Sequence, residues 1–421
     1  MRFFLYNLTL YLLSPLVFLY LLFSKRNRGL IRRFRPDLRP CPAGSIWFHA
    51  CSVGEVGVAL TLMEEMKKRF PESFFLMTVS TVSGMKQAEA ARSGAQLAWL
   101  PFDLSNAMSS FVRHYAPQAL ILIETEIWPN MIKAMHRRKR PVIVVNGRLS
   151  DKHFPRYKKL KKFSPPVFPL LSGICSQEET YTERFEQLGV FPERIETTGN
   201  MKYDQRPRML SSEEKQALQK EVGIGEKDPV VVFGSTHPGD EELAASCWEV
   251  LSREIPGLYM IVVPRHLDRL KAAVQPFGKI PFLQRSLIRG KDLPEKSPKV
   301  LFVDTMGELT QFYQLASVAV ICGSFYPGVE GHNPLEAAVA SVPVVFGPHM
   351  ESFKDAVKLL VAKGGAVEVP RPDTLMPILH GLLDDEEERK EIGRKALEAV
   401  QSNEGATLKT ADALSRWLTK E

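Results

Sequence analysis

Gly323-Ser-Phe-Tyr-Pro-Gly-Val-Glu-Gly-His-Asn-Pro-Leu-Glu-Ala-Ala338 reads as a strand end, a glycine-rich turn and the start of a helix. The apolar run Val318–Cys322 before it is a short strand. Gly323, Gly328 and Gly331 supply the bends, Asn333 suits a helix cap, and Pro334 suits the first helical turn. Glu336 then falls at the third helical position, so the bland reading is a structural capping box. The functional reading starts from the same geometry. A helix start presents N–H groups and a positive dipole end, which suit a phosphate. A carboxylate beside it accepts hydrogen bonds from sugar hydroxyls. Together these features point to a nucleotide-sugar site.

Outward from this stretch the same unit repeats. Short apolar strands are expected at Ser45–Ala50, Phe74–Val79, Leu97–Leu100, Ala119–Ile123, Val142–Val145 and Gly173–Ser176. Helices are expected between them, at 56–69, 83–91, 107–114, 130–138 and 179–188. A second set has strands at Pro229–Phe233, Leu258–Val263, Val300–Val303, Val318–Cys322 and Val342–Phe346, a helix at 239–252, and a helical tail from Glu386 to about Thr419. Apolar strands alternating with helices predict parallel sheets covered on both faces. The expected architecture is α/β, with two Rossmann-like domains facing a cleft. The domains are 25–203 and 213–421, the polar segment 204–212 is the linker, and the last helix can pack back on the first domain.

The first 24 residues stand apart. Phe3 to Phe23 is almost continuously apolar and long enough to span a bilayer, although Pro15 also permits a kinked helix lying in the membrane surface. Lys25, Arg26, Arg28, Arg32, Arg33, Arg35 and Arg39 follow it, and further cations lie between Lys133 and Lys162. A basic flank after the apolar segment places the body in the cytoplasm, against an anionic membrane. The chain carries a formal charge of +7, which also suits nucleic acid, but only 152–163 interleaves cations with aromatics. A nucleic-acid partner is therefore not expected. The five cysteines are scattered, without a C-x-x-C pair, as reduced structural thiols would be. No H-E-x-x-H, P-loop or G-x-G-x-x-G motif occurs, so the phosphate site is expected to be metal-free.

Candidate chemistry falls at strand ends, where doubly wound sheets bind ligands. His49-Ala-Cys-Ser-Val-Gly-Glu55 places Glu55 in a first helical turn, either as a dipole-stabilised acid or as a general base for a sugar hydroxyl. Glu124-Thr-Glu126 flanks a threonine with two acids at the end of 119–123. Lys202, in Thr198-Gly-Asn-Met-Lys-Tyr-Asp204, suits a phosphate or a donor carboxylate, or is a surface lysine. Gly234-Ser-Thr-His-Pro-Gly-Asp240, Pro264-Arg265 and Asp304-Thr-Met-Gly-Glu308 occupy the corresponding junctions of the second half. Arg265 can hold phosphate bidentately.

Taken in order, Ser-Val-Gly-Glu (52–55), Glu-Thr-Glu-Ile-Trp-Pro-Asn (124–130), Asn-Gly-Arg-Leu-Ser (146–150), Thr-Gly-Asn-Met-Lys-Tyr-Asp (198–204), Ser-Thr-His-Pro-Gly-Asp-Glu (235–241), Val-Pro-Arg-His (263–266), Asp-Thr-Met-Gly-Glu-Leu (304–309) and Gly-His-Asn-Pro-Leu-Glu (331–336) form one set. The chain closely resembles the 3-deoxy-D-manno-octulosonic acid (Kdo) transferases of lipopolysaccharide assembly. The resemblance implies a GT-B fold at the inner membrane, CMP-Kdo as donor and a lipid A precursor as acceptor, with no cofactor and no metal. It implies Glu55 as catalytic base, with Glu124, in preference to Glu126, and Lys202 as transition-state stabilisers. Pro264, Arg265, Met306, Gly307, Glu308, Asn333, Pro334, Leu335 and Glu336 match the CMP-binding segments. A metal-independent GT-B enzyme using a UDP-sugar would share the 331–336 logic but not 52–55 with 124–130.

Overall fold

The computed structural model describes residues 1–24, 27–160, 165–291, 293 and 297–419. Lys25, Arg26 and the stretch 161–164, counted above among the basic clusters, lie outside the described residues. The chain divides into two compact units, Met1–Gln205 with Asn403–Glu421, and Arg206–Ser402.

The first unit is built on a seven-stranded parallel sheet. Its strands are β1 (Ile46–Ala50), β2 (Phe75–Val79), β3 (Gln96–Trp99), β4 (Ala119–Ile123), β5 (Val142–Gly147), β6 (Gly173–Ser176) and β7 (Ile195–Thr197). Their order is β3-β2-β1-β4-β5-β6-β7. The direction of winding therefore reverses between β1 and β4, which pair with His49 opposite Leu122. Alternation along the strands fills both faces. Trp47, Leu120 and Leu122 enter one core, while Ile46, Phe48, Ile121 and Ile123 enter the other. A side chain buried in this way contributes about 1.5–3 kcal/mol. Strands that are apolar on both faces are the reason the reading as a covered parallel sheet holds.

The second unit repeats the plan. Its strands are β8 (Val230–Thr236), β9 (Tyr259–Pro264), β10 (Leu283–Gln284), β11 (Val300–Phe302), β12 (Val318–Ile321), β13 (Val344–Phe346) and β14 (Ala366–Glu368). They are ordered β10-β11-β9-β8-β12-β13-β14, so the reversal lies between β8 and β12. Strand β8 runs through Ser235, a bulge with φ +62°, and its register on β9 shifts there so that Thr236 meets Pro264.

Two expectations need correction. The helical tail is two helices, Glu386–Gln401 and Ala406–Leu418, broken at Gly405 with φ +100°. Asp204, read as the start of the linker, holds the second of them. Its carboxylate accepts from Gly405 N–H at 2.6 Å and Thr407 N–H at 2.5 Å. The helix then packs within the first unit, with Thr410 bonded to Thr198 and Arg416 paired with Glu196.

Residues Arg2–Phe23 form one helix of 22 residues, and an 18-residue stretch of it has a mean hydropathy of 1.7 with only 6% of that stretch buried. One stripe of it docks on the first unit. Tyr6 Oη donates to Asp103 at 2.9 Å, and the Asn7 and Asn130 amides bond reciprocally at 2.8 and 3.2 Å. Lys133 stands over the Phe3 ring at 4.1 Å. The opposite stripe, including Leu12, Leu16 and Phe23, is exposed.

Candidate functional site

The switch point of the first sheet gathers the acids. Helix Val53–Arg69 follows β1 after Cys51 and Ser52, three residues earlier than the sequence reading began it. Ser52 Oγ accepts from Glu55 N–H at 3.2 Å. In return Glu55 Oε1 accepts from Ser52 Oγ at 2.8 Å and Ser52 N–H at 3.3 Å, and Oε2 from Cys51 N–H at 2.7 Å. The structural reading of Glu55 is thus real: it closes a capping box. It does not exhaust the carboxylate, which has about four lone-pair positions. Glu55 is 8% exposed, and burial, followed by the charge of Glu124, pushes its pKa up to about 7. A carboxylate poised there exchanges protons near neutral pH.

Glu124 ends β4 with φ +57°, a conformation that costs a non-glycine residue about 1–3 kcal/mol. Thr125 enforces it, since its hydroxyl bonds the Arg148 carbonyl and accepts from Arg148 N–H at 3.3 Å. Glu124 Oε1 lies 2.6 Å from Lys202 Nζ. Lys202 is placed from the far side of the sheet order, where Asn146 Oδ1 at the end of β5 accepts from Met201 N–H at 2.9 Å. Glu124 and Lys202 are therefore brought together, and Glu55 senses the charge of Glu124.

Glu126 has a different partner set. Its Oε2 accepts from Trp128 Nε1 at 2.9 Å and lies 3.8 Å from buried His49 Nε2. Burial acts to raise its pKa, but His49, Trp128 and Arg33 outweigh this and hold it below the ordinary value. Two acids in one site are thus driven apart, Glu55 upward and Glu126 downward, the usual sign of divided roles.

Cys51, Glu55 and Glu126 offer ligand atoms within 4.8 Å of one another. Burial and the two carboxylates push the Cys51 thiol up to about 12, and Glu55 is engaged by its own helix start.

Arg33 was not legible as part of this site. It sits in the basic run after the apolar segment, yet it is buried, with Nε donating to the Leu100 carbonyl at 2.9 Å and its guanidinium 4.5 Å from the Phe102 ring. Asp103 was missed too. It caps helix Pro129–Arg137 by accepting from Asn130 N–H at 2.9 Å and Met131 N–H at 3.0 Å, which links the acid loop to the docked N-terminal helix. Asp at a loop position carries no signal of such a long-range cap.

In the second unit the helix after Asn333 is a single turn, Leu335–Ala338. The capping box expected there does not form. Asn333 Oδ1 accepts from Leu335 N–H at 3.2 Å and its amide donates to Glu336 at 3.5 Å. Burial raises the pKa of Glu336, and the hydrogen bond from the Asn333 amide and the charge of Arg265 oppose that. Pro264 is buried at the end of β9, and Arg265 N–H donates to the Thr236 carbonyl at 3.1 Å. Met306 is exposed and Gly307, at φ +83°, has open space where a Cβ would stand. Glu308 is buried and already engaged: Arg285 donates to Oε1 at 3.1 and 3.0 Å, and the Thr305 hydroxyl bonds Oε2. The backbone of 306–308 and the exposed Met306 side chain are left to meet a ligand. Arg265 and Glu336 share an electrostatic field, whereas Glu308 belongs to Arg285.

Residues 24–205 match the family model described as 3-deoxy-D-manno-octulosonic-acid transferase (kdotransferase). A 3-deoxy-D-manno-octulosonic acid transferase of Haemophilus influenzae is 30% identical over 90% of this chain and 88% of its own length. The chain belongs to the Kdo transferase family. One from Rickettsia bellii is 31% identical over 95% of this chain and 96% of its own. Among solved structures, the UDP-GlcNAc 2-epimerase of Neisseria meningitidis superimposes with a TM-score of 0.62 at 12% identity, covering 88% of this chain and 100% of that one. A glycosyltransferase from Rickettsia africae gives 0.58 at 10% identity, covering 90% and 98%. These establish the GT-B fold class. As a Kdo transferase family member the protein is a glycosyltransferase, and the acids of β1 and β4 lie within the matched segment.

Proposed function

We propose that the protein transfers Kdo from CMP-Kdo to a lipid A precursor of the lipid IVA type, with inversion and without a metal. The observation that carries this reading is Glu55, a buried carboxylate with a pKa near 7 beside the Glu124–Lys202 pair. A sugar hydroxyl is a poor nucleophile until its proton is taken. Glu55 accepts that proton as the acceptor oxygen bonds to the anomeric carbon of Kdo. The bond from that carbon to the phosphate oxygen breaks, and CMP departs with the electron pair. The transition state has oxocarbenium character, which neighbouring carboxylates stabilise. Glu126, held ionised, suits this duty as well as Glu124 does. Lys202 fixes Glu124, and in the second unit Arg265 and the segment Asn333–Glu336 take the nucleotide phosphate.

The docked N-terminal helix supports a membrane-bound protein. Its exposed apolar stripe enters the inner membrane from the cytoplasmic side, where a lipid-anchored acceptor would be met. The polar bonds of Tyr6 and Asn7 favour a helix lying in the lipid surface over one crossing it.

The test is incubation with CMP-Kdo and a tetra-acylated lipid A precursor, with and without EDTA, followed by mass spectrometry of the lipid. Lipid heavier by whole Kdo units, unaffected by EDTA and absent with Glu55→Gln, is the expected result. A folded wild-type protein that adds nothing would contradict the donor and acceptor assignment.

A further inference from the structure

The switch point of the second sheet carries two histidines. His237 directly follows β8, and His332 ends the glycine-rich turn after β12. Their Nε2 atoms are 2.9 Å apart, their ring planes 13° apart and their centroids 5.1 Å apart. That centroid separation is one ring radius on each side of the nitrogen–nitrogen contact. The rings therefore lie edge to edge in nearly one plane, joined by an N–H···N hydrogen bond. In a neutral pair one ring carries its proton on Nε2 and the other on Nδ1.

The surroundings are built to hold this pair. Gly323, at φ +69°, passes beneath it; a Cβ there would stand 3.2 Å from His332 Cδ2 and 3.3 Å from His237 Cδ2. Asp240 Oδ2 accepts from both His237 N–H at 2.9 Å and Gly323 N–H at 2.8 Å, locking the two strand ends together. The other charged or titratable groups in reach include Arg265 and His266, just after β9, and Arg269 a turn later. Glu241 is engaged by the Thr236 hydroxyl at 2.9 Å, with Arg269 at 3.8 Å, and Glu336 faces Arg265. Tyr326 packs over Gly239 beside Asp240.

We propose that His237 and His332 are a proton-holding pair that receives the anionic group of the donor, taking up one proton from solvent as the anion binds. The inference rests on the donor reading of the second unit. Without an anion, burial first, then a neighbouring histidine (His266 for His237, His237 for His332) and the nearby arginines keep both rings neutral, with pKa values lowered to about 4 for His237 and about 3 for His332. A phosphate beside Arg265 offsets those cations. One added proton then turns the neutral contact into an imidazolium–imidazole hydrogen bond facing an anion, a charge-assisted arrangement. The sign of the linkage follows. A pair whose pKa is raised by the ligand strengthens binding fully below its free pKa, and loses that strength as pH rises through the bound-state value.

Calorimetric titration with the methyl ester of cytidine 5′-phosphate tests this. Its phosphodiester, like that of a CMP-sugar, keeps one charge over the whole range. Titrations between about pH 5 and 7.5, in pairs of buffers differing in ionisation enthalpy, report protons exchanged. The wild-type protein is expected to take up protons, with affinity falling by as much as about tenfold per pH unit as pH rises. His332→Gln should bind without proton uptake and with a flat pH dependence; His237→Gln is the second variant should the first not fold. Wild-type binding that is flat with pH and takes up no proton would overturn the pair's role while leaving the donor reading intact. No binding of the ester at any pH would overturn both.

Discussion

Glu55 does two things at once: it completes a helix cap and it holds a proton near neutrality. The first is visible in its bonds to Cys51 and Ser52, the second in its burial and in the charge of Glu124. These duties can be separated by substitution. Glu55→Gln keeps the shape and much of the cap, so the fold should stand while kcat falls about 10²–10⁴-fold, the span of a lost general base. Measured kcat and the thermal midpoint check this together. Ser52→Ala attacks the cap instead. It should cost about 0.5–2 kcal/mol in denaturant unfolding and reduce activity less than Glu55→Gln does. At this scale much of the candidate site could be read in the sequence, because Glu55, Glu124 and Lys202 belong to contiguous motifs at strand ends. Arg33 and Asp103 could not. Arg33 is one cation of a basic run and Asp103 a lone acid in a loop, and their roles depend on partners far along the chain, Leu100 for one and Asn130 for the other.

The elements explain why the site residues meet. Strands β1 and β4 are neighbours only because the winding reverses between them, and their ends therefore bring 49–55 and 124–126 together. The two central strand sets were readable from apolar runs of four to seven residues. The edge strands β7, β10 and β14 were not, since charged residues or proline interrupt their short apolar letters. Helices Ser212–Val222, Lys354–Ala362 and Leu375–Asp384 were also unread, being flanked by longer signals that drew the boundaries elsewhere. The one-turn helix at Leu335 shows the opposite failure: good capping letters, but a chain that turns away after Ala338. Gly323 is the element-scale test in this unit. Gly323→Ala must adopt positive φ and meets Val329 at 2.7 Å, so it should destabilise the protein by about 1–3 kcal/mol in denaturant unfolding.

For the whole molecule, the N-terminal helix is the element proposed to meet lipid. It is bound to the first unit along one stripe and bare along the other, so on a membrane its position would follow the body that carries it. Leu12→Glu with Leu16→Glu should lower binding to anionic phospholipid vesicles in a flotation assay, without changing the thermal midpoint, because both side chains are exposed. Asn7→Ala should leave vesicle binding intact and loosen the helix from the body, seen as faster amide exchange at Asn130. Two units also mean two separable chemistries. The residues proposed for the base lie in one, and those proposed for the nucleotide in the other.

The measurement that bears most directly on the account is the pH dependence of kcat/KM for wild type and Glu124→Gln, with saturating lipid acceptor. A base with a raised pKa is inactive when protonated, so the wild-type rate should climb through a limb near pH 7. Removing the neighbouring negative charge makes Glu55 easier to ionise, so the limb should move to lower pH in Glu124→Gln, only partway because burial is the larger cause. A wild-type profile flat between about pH 5 and 8, or a limb unmoved by Glu124→Gln, would contradict Glu55 as the base coupled to that pair.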